Sequence, residues 1–352
     1  MQRTLHAPLR HLTMWAGAAL ALPIVLCGIN PAIAGDRALL SLCLVSQPAT
    51  APHDVWTSWS FAPEVVVPLL LVLGLYLRGL MAQSGGPRTD RAAPWQVACF
   101  AAGWLALAIA LTSPLCRLAA TLVSTHMVQH VLLIAVAPLL LVLGRPMQTI
   151  TGRALCSLQT ARRWFATPTP LMACGFYGAA IWLWHTPLLY QAALLSKAAH
   201  LVMYAVLIGA GLMFWRSLLW SVRHEPGGAG GAILSALVTI IHTGLLGALL
   251  SFAPTPWYPL LGPQAPAWGL TALEDQQLAG LIMWVPMGLI YLVSVLAMIT
   301  VWLSAMGRDL IGYRLYTHAG TNRIVTPSRI MSISAIPAIP TVIQPTKAIS
   351  DA

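Results

Sequence analysis

Charge is what this sequence has least of. Only 8% of its 352 residues are Asp, Glu, Lys or Arg, against 58% hydrophobic, whereas a soluble globular chain carries about 25% charged residues. No soluble fold has an interior large enough for so much apolar sequence. Acidic residues are the scarcest, nine against nineteen Lys and Arg. The resulting net charge of +10 would suit a nucleic-acid partner, but the basic residues lie in loops between apolar runs, as the positive-inside rule requires, and nucleic acid is set aside. The six cysteines include no CxxC pair and no regular spacing, so neither a zinc knuckle nor a disulfide framework is indicated. Gly227-Gly228-Ala229-Gly230-Gly231 has no strand before it and no Lys-Ser/Thr after it, which makes it a flexible turn and not a phosphate loop. The short alternating segments of a transmembrane barrel are missing. So are an internal repeat and any nucleophile–base arrangement that would point to an enzyme.

Long solid apolar runs are what the chain has. They predict an all-α, polytopic helical membrane protein embedded in the lipid bilayer, with seven spans at 61–80, 95–112, 124–144, 169–187, 200–220, 231–252 and 278–303, each near the ~20 residues a bilayer needs. Residues 1–34 read as a secretory signal or N-terminal anchor: Arg3 and Arg10 precede an apolar stretch, and Ala32-Ile33-Ala34 resembles a cleavage site. Residues 35–60 would be a short periplasmic segment, 61–305 the seven-helix membrane domain, and 306–352 a cytoplasmic, mostly disordered tail rich in Pro, Ser and Ile. The basic residues test this threading. Fourteen Lys and Arg fall on the cytoplasmic side it implies, against Arg37, Arg117 and Lys197 outside, which puts the C-terminus in the cytoplasm.

The histidines follow this map unevenly. His126 and His130 open the third span four residues apart, on one helix face. His185 closes the fourth span and His200 opens the fifth, also outside; His242 lies near the middle of the sixth. Ionisable groups in a membrane are costly and mark function by default. Neutral imidazole suits copper, zinc, iron and nickel, and the neighbouring thioethers of Met127 and Met203 favour Cu(I). A haem held between two histidines is the rival chemistry. The plain alternative is that the pair hydrogen-bonds to loops at the interface, and that His242 meets a backbone carbonyl. Asp275, at the start of the seventh span, is placed to accept a hydrogen bond from a ligating imidazole. Glu274 belongs to a capping box with Thr271. Trp182, Trp184, Tyr190, Trp257, Tyr258 and Trp268 fit an interfacial aromatic belt. Pro138 and Pro286 are expected to kink their helices. Cys116 stands open as a soft ligand, a partner for Cys43 or an unpaired thiol, the last being commonest.

His126-Met127-Val128-Gln129-His130 followed by Ala137-Pro138-Leu139-Leu140-Leu141-Val142-Leu143-Gly144-Arg145-Pro146 resembles the core of the bacterial CtaG membrane family of cytochrome c oxidase assembly factors. Three later stretches agree: Trp184-His185-Thr186-Pro187-Leu188-Leu189-Tyr190 with His200, the segment from Phe252 to Pro259, and Asp275-Gln276-Gln277-Leu278-Ala279-Gly280-Leu281-Ile282-Met283-Trp284. The likeness spans about 58–305. It is to the polytopic family and not to the single-span copper chaperone that shares the name. It implies a non-enzymatic role in maturing haem–copper oxidases, with oxidase subunits as partners and copper as cargo. One position departs from the family pattern: a second histidine four residues after the match to His200 is here Tyr204.

Overall fold

A computed structural model describes residues 41–45, 49–84, 91–150, 168–225 and 228–318. The signal or anchor at 1–34 and the tail beyond His318 lie outside the described residues, as does most of the 145–168 loop. Among the described residues there is helix and no strand. The helices are α1 (Pro63–Ser84), α2 (Pro94–Thr112), the short α3 (Pro114–Ala119), α4 (Val123–Val131), α5 (Ala137–Gly144), α6 (Pro170–Trp184), α7 (Pro187–Leu195), α8 (Lys197–His224), α9 (Gly228–Ser251) and α10 (Ala272–His318). A single π-helical turn, Leu132–Val136, joins α4 to α5.

The chain holds 26 prolines and is helical nonetheless because many of them start helices. Pro63, Pro94, Pro114, Pro170 and Pro187 each occupy a first helical position, where the missing N–H has no partner to lose and φ is already helical. Pro138 is different. It lies just inside α5 and cannot donate to the carbonyl of Ile134, one turn back. The Tyr177 hydroxyl donates to that oxygen instead, at 3.3 Å. At Pro138, where a kink was expected, the helix makes a π turn just before the proline and the loose carbonyl is satisfied from α6, while α10 stays helical through Pro286.

Among the described residues six helices are long and apolar enough to cross a membrane, counting α4–α5 as one. The 15-residue α6 (Pro170–Trp184) is the shorter apolar helix at the predicted fourth span. The third of these long helices is central: 61% of its apolar window is buried, against 17% for α1. Leu70, Leu71, Val285, Leu289 and Val293 remain exposed, as side chains facing lipid do. α10 runs beyond the predicted end at 303 as far as His318. No proline occurs between Pro286 and His318, so nothing in the backbone stops the helix where the membrane is expected to end.

α9 and α10 pack closely and antiparallel. A Cβ added at Gly247 would come within 2.9 Å of the Gly280 carbonyl oxygen. Small residues allow this approach, as they do in membrane helix pairs generally. Because α10 carries the chain from one end of the bundle to the other, reporter fusions after Gly262 and after Gly320 should read periplasm and cytoplasm respectively. Equal signals from one compartment would overturn the threading.

Candidate metal centre

Four of the five span histidines meet at one end of the bundle. His126, His130, His185 and His200 are all buried. The rings of His126 and His130 are 4.4 Å apart with their planes inclined at 64°; those of His130 and His185 are 5.1 Å apart. His200 lies within electrostatic range of both His126 and His130.

The backbone fixes these rings. His126 Nδ1 lies 2.9 Å from the Ala119 carbonyl oxygen, His185 Nδ1 2.6 Å from that of Ile181, and His200 Nδ1 2.8 Å from that of Ala193. A carbonyl only accepts, so each Nδ1 carries the proton and each neutral ring has its lone pair on Nε2. The Nε2 of His185 then accepts from Nδ1–H of His130 at 3.4 Å. His130 is therefore also left with a lone pair on Nε2. The Nε2 atoms of His126, His130 and His200 have no hydrogen-bond partner among the described residues and are sealed from solvent. Buried polar atoms are rarely left so. No group of three His, Cys, Asp or Glu side chains among the described residues is already arranged to hold a metal ion.

Two of these carbonyls, those of Ala119 and Ala193, come from short helices, and that of Ile181 from α6 itself. Ala119 closes α3, and the Thr125 hydroxyl also donates to Leu118 there, at 2.6 Å. α3 is held in turn by a disulfide between Cys116 and Cys43. Of the three roles left open for Cys116 the structure takes the pairing with Cys43, against the commoner unpaired thiol: the 41–45 segment folds back over the bundle, with Val45 N–H donating to the Leu194 carbonyl. Ala193 belongs to α7, the helix between the two histidines of the fourth and fifth spans.

Asp275 corrects a second expectation. Its carboxylate accepts from Val123 N–H at 2.7 Å, from Ser124 N–H at 3.0 Å and from the Ser124 hydroxyl. None of these is an imidazole. Asp275 caps the N-terminus of α4, where unpaired N–H groups and the positive dipole end favour an anion. It thereby orients His126 and His130 through their helix. The Thr271–Glu274 capping box is present as expected, with both reciprocal bonds made.

His242 stands apart from the cluster. Its ring lies 3.3 Å from where a Gly178 Cβ would be, and Gly178 precedes His185 by roughly 10 Å of helix. The Met127 and Met203 side chains are fully buried in the core. Tyr190 and Tyr258 are buried too, so they leave the aromatic belt. Tyr190 packs against His126, with ring centroids 4.7 Å apart and planes tilted by 55°, and the Tyr258 hydroxyl donates to the His185 carbonyl at 2.7 Å. Burial raises the Tyr258 hydroxyl well above its ordinary pKa, so it remains a donor throughout the physiological range. Tyr204, the departure from the family pattern, packs edge-on to His200 at 4.5 Å and accepts from Gln129 Nε2 at 2.9 Å. Tyr190, Tyr258 and Gln129 lie within the stretches that carry the family resemblance, but their contacts around the site come from tertiary packing.

The family model described as cytochrome c oxidase caa3 assembly factor matches residues 74–305, well over half of the chain. No curated protein and no solved structure matches.

Proposed function

The chain belongs to the family of cytochrome c oxidase caa3 assembly factors, and from that premise we propose that it helps mature a haem–copper oxidase by holding Cu(I) at the periplasmic end of its bundle. The observation that carries the copper reading is the set of three buried Nε2 lone pairs, on His126, His130 and His200, without partners. In each ring the opposite nitrogen already donates to a fixed acceptor, which is the usual support of a metal-binding imidazole. His185 serves as that acceptor for His130 and is a positioning residue. Loading requires the three Nε2 atoms to draw together from their present places.

The charge balance favours a monovalent ion. The three imidazoles are neutral donors, and the Asp275 carboxylate is taken up by α4. Desolvating an ion in an apolar interior grows steeply with its charge, so Cu(I) is accommodated more readily than Cu(II) or Zn(II). When bound, it is the cargo the client oxidase needs. Ring centroids of 4.4 and 5.1 Å leave little space for a macrocycle between these imidazoles, which gives the haem reading less support.

Deleting the gene is expected to lower cytochrome c oxidase activity while oxidase subunit transcripts stay unchanged, with partial recovery on added copper. Unchanged oxidase activity across several copper levels would remove the assembly role.

A further inference from the structure

α10 carries three buried methionines, Met283, Met287 and Met298, that the centre described above does not use. Besides its packing on α9, α10 makes one contact to α4 and one to α6 that set its level against those two helices. At one, Asp275 caps α4 at Val123 and Ser124. At the other, the Tyr291 hydroxyl meets the Tyr177 hydroxyl of α6 at 2.5 Å. Met283 lies midway between them in sequence. At 1.5 Å per residue it is about 12 Å along the helix from either anchor. α4 starts at the same end as α10, and seven residues along it from Val123, roughly 10 Å, comes His130. α6 runs the opposite way, and eight residues beyond Tyr177, again about 12 Å, comes His185. Met283, His130 and His185 therefore share one depth. The 3.4 Å contact between His130 and His185 agrees with the shared level of those two rings.

Direction agrees with depth. Successive residues turn by about 100° around a helix, so Met283 is rotated about 80° from Asp275 and about 80° from Tyr291, between the two. Asp275 faces α4 and Tyr291 faces α6. Met283 is 1% exposed, so it projects into the bundle between those helices, where His130 and His185 meet.

We propose that the Met283 thioether is a ligand of the same site as the imidazoles of His126, His130 and His200, making it a mixed imidazole–thioether centre. This rests on the copper reading of the histidines. A thioether adds a soft donor without adding charge, and so selects Cu(I) over Zn(II). Met298, about 22 Å further along α10 by the same rise, is an internal control.

The test uses the full-length protein in mild detergent, loaded with Cu(I) alone under ascorbate, a reductant without sulfur, and read by X-ray absorption at the copper edge. Sulfur is expected in the copper shell of the parent and of Met298→Leu, and is expected to be missing from Met283→Leu, with about a tenfold or greater loss of Cu(I) affinity. Met and Leu have similar volumes, so the swap is tolerated in a core. Selenomethionine labelling of the parent gives a second measurement without any substitution, as copper–selenium scattering. Copper surrounded by nitrogen alone, or sulfur retained in Met283→Leu, overturns the Met283 assignment and leaves the histidine reading standing. A parent that binds no copper overturns both.

Discussion

His126→Ala and His130→Ala are each expected to lower Cu(I) affinity by about 100-fold or more, beyond the 10–100-fold typical of losing a supporting residue around a metal. Each variant removes one of the buried Nε2 lone pairs. His130→Ala also releases the hydrogen bond to His185, so that ring is freed as well. The two variants should retain parental helicity, since both positions lie within α4 and alanine favours helix. The measurement is bound copper per folded protein under reducing conditions, beside the parent. A purely structural pair behaves in the opposite way: the unfolding midpoint falls and copper content does not move. Parental copper in both variants would leave the histidines as buried hydrogen-bonding groups and nothing more.

Asp275→Ala is expected to have the other large effect, and on stability first. Three donors, the N–H groups of Val123 and Ser124 and the Ser124 hydroxyl, lose their acceptor together. A buried donor left unpaired costs about 1–3 kcal/mol, so the loss should reach about 3 kcal/mol or more, a drop of several degrees in the unfolding midpoint. Copper affinity should fall with it, because His126 and His130 ride on the helix that has lost its cap. Asp275→Asn keeps one acceptor oxygen and should fall between. The comparison separates two roles. A carboxylate bonded to an imidazole, as the sequence suggested, would lower copper affinity with little change in stability. A parental midpoint in Asp275→Ala would refute the cap.

Much of this was legible in the one-dimensional pattern because a bilayer imposes simple rules on sequence. Runs of about 20 apolar residues must be helices, since no other open structure satisfies its backbone in lipid. The helices at 61–80, 95–112, 200–220 and 231–252 appear within a few residues of their expected places. The capping box at Thr271 was equally visible, because its partners are three residues apart. The spacing of His126 and His130 placed them on one face of one helix. The burial of His185 and His200 beside them agreed with the reading that span ends of like orientation gather at one depth.

Tertiary packing decided the rest. Asp275 is more than 150 residues from the amides it caps, and no local signal says whether a carboxylate will find an imidazole or a helix end. The Cys43–Cys116 bridge spans 73 residues and depends on a segment folding back, which composition does not encode. His242, expected near the middle of its span and so deeper than the other four, was set by packing against Gly178, away from the cluster. Tyr190 and Tyr258 looked like interfacial aromatics and became part of the wall of the site. The sequence alone determined that this is a helical membrane protein with histidines gathered at one face, because hydrophobic length and charge asymmetry are local properties. Which nitrogens are left bare, and what holds each ring, was decided only when distant helices met, because hydrogen-bond partners are chosen by proximity in space.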